Sequence, residues 1–159
     1  MLPSLRPLAL VLAAGCVPLG GGQDSGACPD IACGPAYQIG FARAGAWAPA
    51  TYRVEVTADG TGNSCDIVIP MSCDHPPRCQ GNPTWMPALV GCALDPSQQK
   101  IDGVTFDRAT PASVTVTVWQ GDRALGMRTF TPSYRSSPGP AGCTFTCTQA
   151  ATETMTLTQ

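Results

Sequence analysis

The chain has 159 residues, with nine basic, eleven acidic and one histidine, for a formal charge of −2 at pH 7. That length suits one domain with a sizeable core, and the lack of any basic patch argues against nucleic-acid binding by charge. Nine cysteines in a chain of this size indicate an oxidising compartment, where thiols pair.

Residues 1–15 have the order of a secretory signal: one early charge at Arg6, an apolar run at 8–14 (LALVLAA), then small residues up to Cys16. The apolar run is far too short to cross a bilayer. The stretch Leu12-Ala13-Ala14-Gly15-Cys16 resembles the lipobox of bacterial lipoproteins, with Ala13 where that pattern prefers Leu. The resemblance implies cleavage before Cys16 and lipidation of that cysteine, and two or more acyl chains make a lasting anchor. Parity points to the same residue. Lipidation removes one cysteine of nine and leaves Cys28, Cys33, Cys65, Cys73, Cys79, Cys92, Cys143 and Cys147, an even set able to form disulfides. Residues 16–34 then read as the lipidated cysteine and a flexible tether, since 17–27 (VPLGGGQDSGA) is rich in Gly.

Residues 35–159 carry strand signals and no convincing helix. Tyr37–Phe41 alternates. Residues 51–58 (TYRVEVTA) place Tyr52, Val54 and Val56 on one face and Arg53, Glu55 and Thr57 on the other, the period of a half-buried strand. Turn chemistry at 59–63 and a second apolar run at 65–70 (CDIVIP) predict a hairpin over 51–70. Residues 71–100 hold five prolines and three cysteines and read as an irregular, stapled loop. Strand signals return at 101–106, at 113–119 and 124–131 as a second hairpin, and at 152–158; residues 132–142 (PSYRSSPGPAG) are expected to be irregular. The predicted fold class is all-β, an antiparallel β-sandwich of about seven strands. The arrangement resembles the Ig-like and transthyretin-like sandwiches of exported bacterial proteins. The pieces YRVEVTADG, CDIVIP and TPSYRSSPGPAGCTFTC are similar to a group of small bacterial lipoproteins, a resemblance that implies no activity.

None of the close cysteine pairs is a C-x-x-C, so neither a thioredoxin-type redox site nor a four-coordinate zinc site is indicated. Structural disulfides are the preferred reading. Cys73–Cys79 is the favoured loop staple, because the five residues between them must turn. Cys143 and Cys147 would lie about 13 Å apart in an extended strand, beyond disulfide reach, so either that segment turns or both pair elsewhere, for example with Cys65 and Cys92.

His75 is the only histidine. Asp74-His75 invites a general-base reading, but no nucleophile motif accompanies it and an exposed loop residue is the plainer role. No calcium-type acidic cluster is present in the sequence. Trp85 and Met86, with Leu89 and Val90 nearby, form either a loop binding patch or a plug for the end of the core; Trp47 and Trp119 share that ambiguity. No catalytic residue, metal or cofactor is assigned. The sequence therefore implies a lipid-anchored module of the bacterial cell envelope, on the outer membrane or periplasmic face, binding or structural rather than catalytic. Its partners are the membrane and an unspecified protein or glycan. Two alternatives are an exported hydrolase using His75 or paired carboxylates, and a secreted inhibitor or accessory subunit acting through residues 73–92.

Overall fold

The computed structural model describes residues 33–139 and 144–159. These form an all-β structure with eleven strands and one short 3-10 turn. A four-stranded sheet has the order β11 (Glu153–Leu157), β1 (Tyr37–Arg43), β6 (Lys100–Phe106), β5 (Met86–Val90). A five-stranded sheet has the order β4 (Arg78–Cys79), β3 (Thr61–Ile69), β2 (Ala50–Ala58), β7 (Val114–Gln120), β8 (Arg123–Phe130). A two-stranded ribbon pairs β9 (Tyr134–Pro138) with β10 (Thr146–Ala150).

Alternating side chains explain why the two larger sheets share one core. Tyr52, Val54 and Val56 of β2 are buried, and Arg53 and Thr57 are exposed, as the period of two predicts. Val114, Val116 and Val118 of β7 lie opposite Ala58, Val56 and Val54, so β-branched side chains face one another across the ladder. Ile67 and Ile69 of β3 and Leu125 and Phe130 of β8 complete this face. The other sheet answers with Tyr37, Ile39, Ile101, Val104, Phe106, Met155 and Leu157, all in the same buried cluster. Burying each such side chain contributes about 1.5–3 kcal/mol.

Both predicted hairpins are present. In the first, Ala58 pairs with Thr61, so the turn is only Asp59-Gly60, with φ of 49° and 84°. Two successive positive φ values are the requirement of the tight turn whose twist matches the strands, which Asp-Gly satisfies. The second reverses at Gly121-Asp122, between β7 and β8, with a bulge at Val118/Trp119.

Four expectations are corrected. The described residues hold eleven strands rather than about seven, and β1 and β11 run parallel, so the sheets are not wholly antiparallel. The 71–100 segment is not irregular throughout: it contains β4, β5 and the 3-10 turn Pro96–Gln98. Strand β5 carries Pro87, which it tolerates as a sheet edge whose outer side needs no ladder donor. Finally, 134–138 is strand β9, because its backbone pairs with β10 although its side chains are mostly exposed.

The disulfides also differ from the favoured pairing. Cys73 bonds Cys92, with Cα atoms 5.1 Å apart, and Cys79 bonds Cys65, which it faces across the β3–β4 ladder. Strand pairing, not proximity in sequence, decides this: extending the chain from Cys73 to β4 carries Cys79 onto β3. Cys147, on β10, bonds Cys33, a residue that the sequence alone assigns to the tether. Cys16, Cys28 and Cys143, with the signal and most of the tether, lie outside the described residues.

Candidate functional site

Two clefts lie at opposite ends of the β2–β3 hairpin. The first sits where β3 ends. Thr51 and Val68, opposite each other on the outer face, line its floor, and Val68 is 59% exposed. Beyond β3 the chain makes a tight turn in which the His75 amide donates to the Ser72 carbonyl and the Asp74 amide donates to Ser72 Oγ. The turn leads through Pro76-Pro77 into β4. Two cystines hold these walls: Cys65–Cys79 fixes β4 to β3, and Cys73–Cys92 ties the turn to the chain leaving β5.

Gln99 is the one buried polar side chain among the described residues, 3% exposed. Its Oε1 accepts from the Met71 amide at 2.5 Å and its Nε2 donates to the carbonyls of Leu94 and Met71, so the wall is also fixed from behind. The cleft, open on one side, has a volume of about 610 Å³. Its walls are mainly apolar, from Pro70, Met71, Pro76, Pro77 and Leu89, with Asp66, His75 and Arg78 as polar groups.

His75 therefore lines a cleft, and its Nδ1 lies 3.2 Å from Ser72 Oγ. The same hydroxyl already accepts from the Asp74 amide, the pattern of a side chain closing a local turn. Among the described residues no carboxylate bonds the other ring nitrogen. The pair is thus an imidazole beside a hydroxyl, without the third group that orients a catalytic imidazole.

The second cleft, of about 310 Å³, lies at the Asp59-Gly60 turn. Asp59 organises it. Its carboxylate accepts from the amides of Ala112 at 3.2 Å and Ser113 at 2.9 Å, and its own amide donates to the Ser113 carbonyl. These bonds fasten the β6–β7 connection to the hairpin. Asp59→Ala removes both acceptors and places a Cβ residue without local polar support at φ 49°, so unfolding free energy should fall by about 2–3 kcal/mol. Asp59→Asn should lose less, because Asn tolerates that conformation. Denaturant midpoints of the two variants check this.

Next to Asn82, Gly81 at φ 69° lets the chain pass close over Asn63, whose Oδ1 would lie 3.1 Å from any added Cβ. Trp85 lines the same cleft yet is only 1% exposed, and its indole N–H has no hydrogen-bond partner. An unsatisfied buried donor costs about 1–3 kcal/mol.

The predicted Trp85–Met86 patch is accordingly divided by the pleat: Trp85 points into the core and Met86, its neighbour, is 62% exposed. Trp47 is buried edge-on against Tyr52 with Arg43 over its ring. Trp119 is half-buried and donates to Glu55 at 2.8 Å. Of the residues of the second cleft the sequence marks Trp85, as a patch candidate, and the turn at 59–63; Asn82, Thr84 and Thr110 carry no signal, since they lie in connections between strands and belong to no motif.

Tyr134 donates to the Pro111 carbonyl behind this cleft, and its phenol is pushed up to about 12, by burial first and by the Asp59 charge second. Tyr37 is raised further by burial and by its 2.6 Å bond to Glu153. Both phenols stay neutral in the fold after an unfolded chain would have ionised, near pH 10. Their contribution to stability is therefore complete below pH 10 and is lost as pH rises from there towards 12. Melting temperature should fall across that window, and less steeply in Tyr134→Phe; a flat profile would contradict the assignment.

Searches against family models, curated proteins and solved structures match nothing to this chain.

Proposed function

We propose that this protein is a lipid-anchored module of the bacterial cell envelope, a disulfide-stapled β-sandwich that binds through the cystine-framed cleft beyond β3. The observation that carries the reading is the cleft itself, about 610 Å³ with mainly apolar walls and a few polar groups, held in shape by two disulfides. The disulfides fit an extracytoplasmic, oxidising location, and the signal-like N-terminus with Cys16 supplies the anchor.

Two measurements test it. Mass spectrometry of the mature protein should find an N-terminus at Cys16 carrying acyl chains; an unlipidated N-terminus removes the anchor. An apolar fluorescent dye such as anilinonaphthalene sulfonate should brighten with the full mature chain and not with Val68→Asp, at unchanged melting temperature. Equal brightening by both proteins removes the cleft as the binding surface.

A second reading, an exported hydrolase, draws on the 3.2 Å approach of His75 Nδ1 to Ser72 Oγ. It requires turnover of an activated ester that disappears in both Ser72→Ala and His75→Ala. The binding reading expects no turnover by the parent protein.

A further inference from the structure

The second cleft, around Trp85, lies at the far end of the hairpin from the cystine-framed one, about 20 Å away by strand rise. Its lining is of a different kind. Asn63, Asn82, Thr84 and Thr110, four neutral residues with amide or hydroxyl side chains, line one small volume. Its one charged lining residue, Asp59, has both carboxylate oxygens engaged by the backbone amides of Ala112 and Ser113. No three His, Cys, Asp or Glu side chains converge among the described residues in the way a metal site needs. Trp85 adds a buried indole N–H that lacks an acceptor.

The cleft thus offers several neutral residues and a single carboxylate already engaged by two amides, and the buried Trp85 that borders it carries an N–H with no partner. Charge-poor arrays of this kind match a ligand that carries many hydroxyls in a compact, uncharged frame. Its volume, about 310 Å³, is of the size of a single pyranose ring with substituents rather than a long chain. We infer that the cleft bounded by Asn63, Asn82, Thr84, Trp85 and Thr110 is a binding site for a neutral sugar, one of whose oxygens accepts from the Trp85 indole. Its polar lining also separates it from the apolar cleft, so the two sites stand or fall separately.

Nitrogen-15 NMR of the full mature chain reads the indole directly. Free glucose, galactose, mannose and N-acetylglucosamine are titrated in turn. At least one should move the Trp85 indole resonance saturably while those of Trp47 and Trp119 stay in place. Asn82→Ala, on an exposed loop, should weaken that sugar about tenfold or more with an unchanged melting temperature. Trp85→Phe keeps the ring and removes the donor, and should weaken it as well. Val68→Asp, in the other cleft, should leave sugar binding unaltered, which distinguishes this inference from the proposed function. The inference is overturned if none of the four sugars moves the Trp85 resonance. It is equally overturned if the shift survives in both Asn63→Ala and Asn82→Ala, or if the indole proton contacts a long-lived water that the sugars never displace.

Discussion

Removing the Cys33–Cys147 bond, as Cys33→Ala with Cys147→Ala, is expected to lower the unfolding free energy by roughly 2–5 kcal/mol. The bond closes a loop with a sequence separation of 114, against 14 and 19 for the other two described disulfides. Loop-closure entropy grows with the logarithm of loop length, so this cross-link restricts the unfolded chain most. It also fastens the β9–β10 ribbon, which buries little side chain of its own. Cys147 is the one strand residue of that ribbon with under a tenth of its surface exposed. The melting temperature should therefore drop by roughly 10 °C or more, and limited proteolysis should cut first within 134–150. A double variant that melts with the parent protein would show that the ribbon holds without its staple.

Gly103→Ala should be comparably damaging, for a steric reason. Gly103 lies in the middle of β6, facing Gly40 of β1 on one side and Ala88 of β5 on the other. A Cβ there would overlap the carbonyl oxygen of Ile39 and sit 3.0 Å from the Gly40 Cα, and both obstacles are backbone. Side chains can rotate away from a clash, but a hydrogen-bonded strand can only shift as a whole. We expect a loss of about 3 kcal/mol or more, combining overpacking with backbone strain. Gly62→Ala is the control: its Cβ meets only Thr57 Oγ1 at an ordinary 3.5 Å, so its denaturant midpoint should stay close to that of the parent. Equal losses in the two variants would refute the steric account.

The parts of this fold legible in the sequence are those where side-chain period and burial coincide. Strands β2 and β7 bury every second residue, so their alternation marks both the strand and the core face. Strand β9 was missed because four of its five side chains are exposed; its conformation comes from pairing with β10, a partner beyond the reach of local pattern. Strand β5 was missed because Pro87 is excluded from central strands but not from edges, and being an edge is a property of the sheet. The cystine pattern failed for the same reason, since Cys65 and Cys79 meet only once β4 is laid against β3. In the candidate sites, His75 and the cysteines could be named in advance as chemistry-bearing residue types. Asn63, Asn82 and Thr110 could not, because short polar residues at a strand end or in a connection are ordinary until the fold brings them together.

The parallel pairing of β1 with β11 has a consequence in time as well as in space. Ile39 faces Glu153 and Arg43 faces Leu157, so the first and last described strands are neighbours although more than a hundred residues separate them. The β2–β3 and β7–β8 hairpins of the five-stranded sheet can form as their segments emerge from whatever machine makes or moves the chain, and β2 can pair with β7 once β7 is out. The four-stranded sheet must wait. Until β11 arrives, β1 presents an unpaired edge and the core face covered by Met155 and Leu157 stays open to water. Contacts of such long sequence separation form late and slowly, and an exposed edge in that interval is an invitation to pair with another chain. The most vulnerable interval for this fold is therefore the one before β11 is in place beside β1.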